Sequence, residues 1–597
     1  MLAERVKAGQ LPAVDQRVPQ SPCVGVLDIP ASWIKPEIGK YGGTLRMVDY
    51  VAGHWGLDFR WVQWEPWLHT EGLTYDPDHV YGNVMKSFEM SPDYKTFTFH
   101  MREGMKFSDG SPFTTEDIRF WYEDILLNDK LTPSIPVVLR AGQKPDGPPL
   151  KVQVVDTYTF KISFDEPFGL FPAVLSTDQT PTIGSSAFLK KYHPKYTPLD
   201  QLEPLIKAAG FQPGEWWRLF TLMSNEMREP KDPAPTVNPY VVKSVSPTKW
   251  IMERNPYYFK VDAAGNQLPY IDTVETTIVQ DVNAGTLMAT AGQVDLGGRI
   301  APMVSVPVLK QYEQEKGYRV LLPKTHAMMA ELYLNLTFAD PVWRQVTGDI
   351  RFRQALSLAL DREQINKTIY LGFAKLPTTI PINQYDPAKA KSLLDAMGLN
   401  KTDSDGCRLG PDGKKFVVPI ETLSVEGGDE IRTAELAAKS WNQVGICTTV
   451  KAMDRALFGQ TADANQAHVI TWRAHYARWP WQPGTLTGFA GYEAYKTYAP
   501  LWWDWYQSGG KQGEKPPDDY VTLRDLNSEL WQTGDTARQK AIWEQIKKIV
   551  TDNVWIIPTG EGAPLPLVVN AKLGNVPNGP DTYQLEVISA AEMFYYK

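Results

Sequence analysis

The stretch SPDYKTFTFHMREGMKFSDGSPFTTED, Ser91 to Asp117, places a strand, a sharp break and a helix start in immediate succession. Thr96 to Met101 alternates polar Thr96, Thr98 and His100 with apolar Phe97, Phe99 and Met101, the period-2 pattern of a strand buried on one face. Ser108-Asp109-Gly110-Ser111-Pro112 ends that pattern, because Gly and Pro favour turn backbone. Thr114, followed three residues on by Asp117, predicts a capping box, and Ile118, Trp121 and Ile125 continue at helical spacing.

The same switching between periods recurs outward from this stretch. Upstream, Tyr41-Gly42-Gly43-Thr44-Leu45-Arg46-Met47-Val48 reads as a turn entering a strand. Downstream, Lys151 to Phe164 alternates again, with Tyr158, Phe160, Ile162 and Phe164 on one face. Residues 226–239, rich in Pro and charge, read as a loop, and Pro239–Val242 and Trp250–Met252 as strands. A helix is predicted after Asp349 from Phe352, Leu356, Ala359 and Leu360, with another starting at Asp361. Asp386-Pro387 supplies an N-cap and a first-turn proline. Ala390, Leu393, Leu394 and Met397 form an apolar stripe that Gly398 ends. Residues 1–38 are Pro-rich and lack sustained periodicity, so they read as an extended surface arm. Strands and helices alternate throughout, giving an α/β class with at least two lobes.

With 597 residues, the chain exceeds one hydrophobic core, and length alone predicts about four domain-sized units. Its 61 Lys and Arg against 69 Asp and Glu leave a net charge of −8, without the basic surplus of a nucleic-acid binder. No run of 18 apolar residues predicts a membrane-spanning helix. Met1 to Pro19 holds no apolar leader core, which leaves a cytoplasmic protein or a mature chain whose leader has been removed. Cys407 and Cys447 are either a bridge, worth roughly 3–4 kcal/mol in the chain-entropy account, or two separate thiols. Cys23 reads as a packed side chain without a partner.

The excess that asks for an explanation is aromatic: 20 Trp, 27 Tyr and 22 Phe. Half of the Trp fall in three clusters: Trp55, Trp61, Trp64 and Trp67; Trp472, Trp479 and Trp481; and Trp502, Trp503 and Trp505. Trp61, Trp64 and Trp67 at i, i+3, i+6 fit one side of a helix and read first as core. Trp502, Trp503 and Trp505 fit lobe packing or a binding wall. No P-loop, dinucleotide fingerprint, nucleophile elbow or H-E-x-x-H zinc motif occurs, so neither a cofactor nor a metal is expected. Asp403-Ser404-Asp405-Gly406 has its Gly too early for a calcium loop, with Lys414 at the position that needs Glu, and reads as a turn.

The Ser91–Asp117 stretch resembles the signature of the family 5 extracellular solute-binding proteins, the oligopeptide- and dipeptide-type receptors of ABC importers. Further similar segments follow in family order: Glu253-Arg254-Asn255-Pro256-Tyr257-Tyr258, Leu268-Pro269-Tyr270-Ile271-Asp272, Asp349–Arg362, Tyr385–Ala390 and Val444-Gly445-Ile446. The resemblance implies a two-lobed periplasmic-binding-protein fold, type II and of the large cluster C kind, with an extra subdomain inserted in the first lobe. By that analogy lobe I comprises 39–55, 185–325 and 555–597, the insert 56–184, lobe II 326–554, and the arm 1–38. It also implies a monomeric, non-enzymatic receptor on the periplasmic or extracellular face. Such a receptor closes on its ligand and delivers it to an inner-membrane ABC permease.

Peptide-binding relatives usually carry an acidic residue in a lobe II segment resembling Asp-Tyr-Pro-Asp-Pro, which pairs with the ligand's amino terminus. The corresponding stretch here is Thr471–Trp481, and no Asp or Glu occurs from Thr471 to Gly491. An ammonium buried there lacks a counter-ion. Trp472, Trp479 and Trp481 offer flat faces to the C–H side of a sugar ring, and Arg473 and His475 offer hydrogen bonds to its hydroxyls. Trp55, after the first strand and beside His54, is the candidate platform of lobe I. The ligand expected is therefore an oligosaccharide, and the Trp-rich sequence is more similar to the α-galactoside type. Plainer readings stand beside these: His475 as a satisfied histidine, Arg473 paired with a distant carboxylate. The alternatives are a peptide or opine-like ligand anchored by Glu426 or Asp429, and a glycoside hydrolase whose paired carboxylates composition leaves open.

Overall fold

Strand Thr96–Met101 forms as its alternation predicts, with Phe97, Phe99 and Met101 turned inward. It lies in a four-stranded antiparallel sheet in the order Met85–Met90, Thr96–Met101, Thr159–Ser163, Lys151–Val154. The 151–164 alternation is therefore two strands of a hairpin, not one: Asp156 accepts the Tyr158 amide and turns the chain between them. Thr114 and Asp117 form the predicted capping box, after which the helix widens into a π turn at Trp121–Leu126.

The computed structural model describes residues 1–25, 35–50, 62, 64–70, 80–144, 146–176, 180–225, 233–298, 300–323, 329–424, 429–473, 498–577 and 591–597. A seven-stranded mixed sheet gathers distant parts of the chain. Its order is Tyr318–Leu321, Leu567–Asn570, Leu296–Gly297, Thr44–Asp49, Thr273–Ile278, Lys249–Arg254, Tyr240–Val245. Thr44–Asp49 sits at its centre, parallel to both neighbours and buried at Leu45, Met47 and Val48. A third sheet is mixed, in the order Ala330–Leu334, Val469–Arg473, Val417–Leu423, Cys447–Met453. Its helices begin at the predicted caps. Asp349 accepts the Arg351 amide, Asp361 that of Gln364, and Asp386 that of Lys389. Asp403 Oδ1 accepts from Asp405 and Cys407, so that segment is a turn.

Two local expectations need correction. The arm is not extended throughout: Leu2–Lys7 is helical, Leu2 and Leu11 are buried, and Arg17 donates to the Pro256 carbonyl. Trp64 and Trp67 do not lie on a helix. Residues 64–66 have no regular structure and strand Leu68–Thr70 follows. Trp67 is core all the same, edge-on to Phe99, Trp121 and Phe160.

Cys407 and Cys447 are joined, with their Cα atoms 5.4 Å apart, tying the 403–408 turn to the edge strand of the third sheet. Cys23 is free and partly buried. A buried ionic cluster joins separate segments beneath it. Lys260 Nζ stands 2.9 Å from Glu65 and 3.1 Å from Glu592, all three enclosed. Tyr258 and Asn83 donate to the Glu65 carboxylate. Burial would lower the Lys260 pKa, but the two carboxylates outweigh it and hold the ammonium above its usual range. Burial pushes the Glu592 carboxyl up to about 7, against the attraction of Lys260.

Candidate functional site

Of the residues singled out from sequence, His54, Trp55, His475, Trp479 and Trp481 lie outside the described residues, as does Glu426. Trp472 and Arg473 end strand Val469–Arg473, and the Arg473 side chain is outside the description. The Trp472 ring is 8% exposed and stacks on Phe458, with centroids 6.2 Å apart. It is thus core packing in this structure. Its strand partner across the sheet is Glu331, a fully buried acid that the sequence reading missed. The missing signal is physical: the run without acids is continuous in sequence, whereas a sheet neighbour arrives from 141 residues away. Asp429 heads helix Asp429–Asn442, with Glu430 buried beside it.

The described residues bring a different set of side chains together. A cavity of about 460 Å³ lies between the first four-stranded sheet's flanking turns and two late helices. One wall is Trp121 and Leu126 of the π turn, the Val137–Leu139 turn, Gln143, and Thr180-Pro181. The facing wall is Trp503, from helix Pro500–Gln507, with Arg524, Asn527 and Trp531 from helix Asp518–Gln532. The last three recur at i, i+3, i+7, so one helix face presents all of them. That spacing was available in the sequence, but it runs beside the apolar stripe Tyr520, Leu523, Leu526 and Leu530, so the helix reads as ordinary core and nothing marked its polar members.

Local structure explains why these groups face inward. Gly142 and Gln143 both take left-handed backbone, φ 65° and 50°. At Gly142 the left-handed backbone favours glycine, which has no Cβ to strain. The Trp531 indole is 5% exposed and rests against Phe168. Helix Asp518–Gln532 is anchored at its end by Gly169 and Leu170, whose amides donate to the Gln532 and Trp531 carbonyls. Trp502 packs against Tyr520 and Trp555 instead, so of its cluster Trp503 is the member that reaches the cavity.

The wall is apolar and aromatic, with a few enclosed polar atoms that lack a hydrogen-bond partner. These are Gln143 Oε1 and Nε2, Asn527 Oδ1, Trp531 Nε1 and Arg524 Nε. Buried polar atoms are ordinarily paired, so a cluster around one cavity marks a place where something else supplies the bonds. Among the described residues no Asp or Glu lines it. Three indoles, two amides and a guanidinium can hold a hydroxylated molecule by stacking and hydrogen bonding. Among the described residues no group of three or more His, Cys, Asp and Glu could hold a metal ion. No described helix is long and apolar enough to cross a membrane.

A large α/β chain with separate sheets carries a cavity walled by segments distant in sequence. Residues 79–496 match the family described as bacterial extracellular solute-binding proteins, family 5 Middle, and the chain belongs to that family. It is a solute-binding receptor of the kind that serves ABC importers. A periplasmic alpha-galactoside-binding protein of Rhizobium meliloti (strain 1021) is 26% identical, over 96% of this chain and 83% of that protein. Among solved structures, an oligopeptide-binding protein OppA superposes with a TM-score of 0.68 at 28% identity, covering 100% of this chain and 96% of that one. The periplasmic binding protein MelB of Agrobacterium fabrum C58, in complex with stachyose, gives a TM-score of 0.75 at 23% identity, covering 100% and 90%. The mixed α/β architecture is therefore that of periplasmic binding proteins. These relatives are binding proteins of transporters rather than enzymes.

Proposed function

We propose that this protein captures an oligosaccharide, of galactoside type, between two lobes on the periplasmic side and hands it to an inner-membrane permease. The observation that carries the reading is the cavity. Its indoles offer stacking area, its unpaired amide and indole atoms match sugar hydroxyls, and among the described residues its wall holds no carboxylate to balance an ammonium. Each indole covering about 100 Å² of apolar sugar surface contributes roughly 2.5 kcal/mol. The alpha-galactoside-binding and stachyose-bound relatives support the same ligand class.

In this reading the seven-stranded sheet is the framework of lobe I (39–55, 185–325, 555–597). The antiparallel sheet is the inserted subdomain (56–184) and the third sheet belongs to lobe II (326–554). The cavity then has one wall on the insert and the other on lobe II. His54, Trp55, Trp472, Arg473, His475, Trp479 and Trp481 are proposed to extend the same aromatic surface along the cleft. The Cys407–Cys447 bridge suits an oxidising compartment. The receptor acts as a monomer, without cofactor and without catalysis.

A peptide ligand is the second reading, favoured by Glu331 beside Trp472 and by the likeness to OppA. Calorimetric titration separates the two. Stachyose is expected to bind and to raise the melting temperature, trialanine to do neither, and stachyose to be recovered intact after long incubation. Binding of trialanine without stachyose, or appearance of cleavage products, refutes the proposal.

A further inference from the structure

Among the described residues Arg524 is the one cation of the cavity wall, and its surroundings are aromatic. Its side chain is 5% exposed. The guanidinium carbon stands 4.6 Å from the Trp503 ring centroid and 4.7 Å from that of Tyr506. Its Nε is enclosed without a hydrogen-bond partner. No described Asp or Glu pairs with it, and none lines the cavity. Aromatic faces hold a guanidinium in place without occupying its in-plane donors, and here Nε is unpaired. A buried charge without a counter-ion is costly, and a ligand carrying the opposite charge removes that cost.

We propose that the oligosaccharide taken by this cavity carries a carboxylate, as a uronic acid residue does, and that Arg524 binds that group. This rests on the oligosaccharide reading above. The charge balance selects the group: one guanidinium neutralises one negative charge, whereas a phosphate monoester dianion would leave a buried net negative. A carboxylate also matches the fork of guanidinium donors, and the Trp531 Nε1 and Gln143 Nε2 donors nearby serve the remaining sugar oxygens. Arg524 thus acts as a specificity residue, distinguishing acidic from neutral sugars that stack equally well on the same indoles.

The test compares α-1,4-digalacturonate, the neutral α-1,4-galactobiose and trialanine by calorimetry on the intact protein. Digalacturonate is expected to bind roughly 10-fold to 100-fold tighter than galactobiose, the range of a charge-assisted hydrogen-bonded pair. In R524Q that preference disappears, while R524K keeps the charge and part of the preference. Melting curves without ligand show whether each variant is folded, and the wild-type comparison stands without any variant. Equal affinity of the wild type for the two sugars overturns the carboxylate assignment and leaves the sugar reading intact. Response to trialanine alone, or to none of the three, overturns the oligosaccharide reading itself, and the assignment falls with it.

Discussion

Replacing Gln143 by Met tests whether the unpaired atoms of the cavity serve a ligand. Both polar atoms of the Gln143 amide are enclosed and without partners. Met has nearly the same length and volume and no amide, so the shape of the wall is kept. In the ligand-free protein no internal hydrogen bond is lost. An unpaired buried amide costs about 1–3 kcal/mol, and water entering a cavity of this size reduces that toward its lower end. The melting temperature of Gln143→Met should therefore equal or slightly exceed that of the wild type. With ligand, two hydrogen bonds of about 0.5–1.5 kcal/mol each are lost, which weakens binding by roughly 5-fold to 150-fold. Calorimetric titration with stachyose and paired melting curves measure the two effects separately. Unchanged affinity removes Gln143 from the site. A melting temperature lowered by several degrees shows that the amide serves the fold, and the reasoning from unpaired atoms fails.

Trp472→Ala should destabilise the protein by about 3–5 kcal/mol, because the ring is enclosed against Phe458. A denaturation midpoint unmoved by the change would show that the ring is not core. Replacing Cys407 and Cys447 by Ser should cost about 4 kcal/mol, from a bridge spanning 40 residues, read as a lower urea midpoint with a steeper slope as the denatured chain expands. Glu592 has a carboxyl pushed from 4.5 up to about 7 by burial, so the folded state holds its proton more tightly than the unfolded chain. Its contribution to stability is greatest at low pH, declines as pH rises from about 4.5 to about 7, and is level above that. Glu592→Gln should flatten this component of the pH–stability curve, and a curve with the same slope in the variant would remove Glu592 as its source.

The parts of the fold legible in sequence were those fixed locally. Thr114 with Asp117, Asp349, Asp361 and Asp386 each start a helix where the sequence places one, because a cap is satisfied within three residues. Phe97, Phe99 and Met101 declare their face by alternation alone. Trp64 and Trp67 misled because a spacing of three fits a helix equally well as an irregular entry into a strand. The site was harder to see. Composition drew attention to tryptophan, and Trp503 falls within a named cluster, yet Trp121, Gln143 and Trp531 meet only through long-range packing. Gln143 in particular owes its position to two successive left-handed residues that no periodicity announces. Glu331 makes the same point from the opposite side: a run can lack acids and still receive one from the adjacent strand.

The placement of the polar atoms on both walls bears on how such a receptor would signal that it is loaded. Moving a two-state protein from 1% to 99% closed takes about 5.5 kcal/mol of differential affinity. A ligand held by one wall alone binds the open and closed forms alike and shifts nothing, however tightly it is held. Gln143 lies on one wall, with Asn527 and Trp531 on the other. Two hydrogen bonds at about 1 kcal/mol each and one stacked indole at roughly 2.5 kcal/mol from the second wall supply about 4.5 kcal/mol. That falls about 1 kcal/mol short of the requirement. A charge-assisted bond to Arg524 on the same helix, at about 1.5–3 kcal/mol, makes up the difference. On this reasoning a neutral sugar is bound but closes the receptor incompletely, whereas a carboxylate-bearing one drives closure. Small-angle scattering of the two complexes at saturation would then give a smaller radius of gyration for the acidic ligand, and identical radii would refute the coupling.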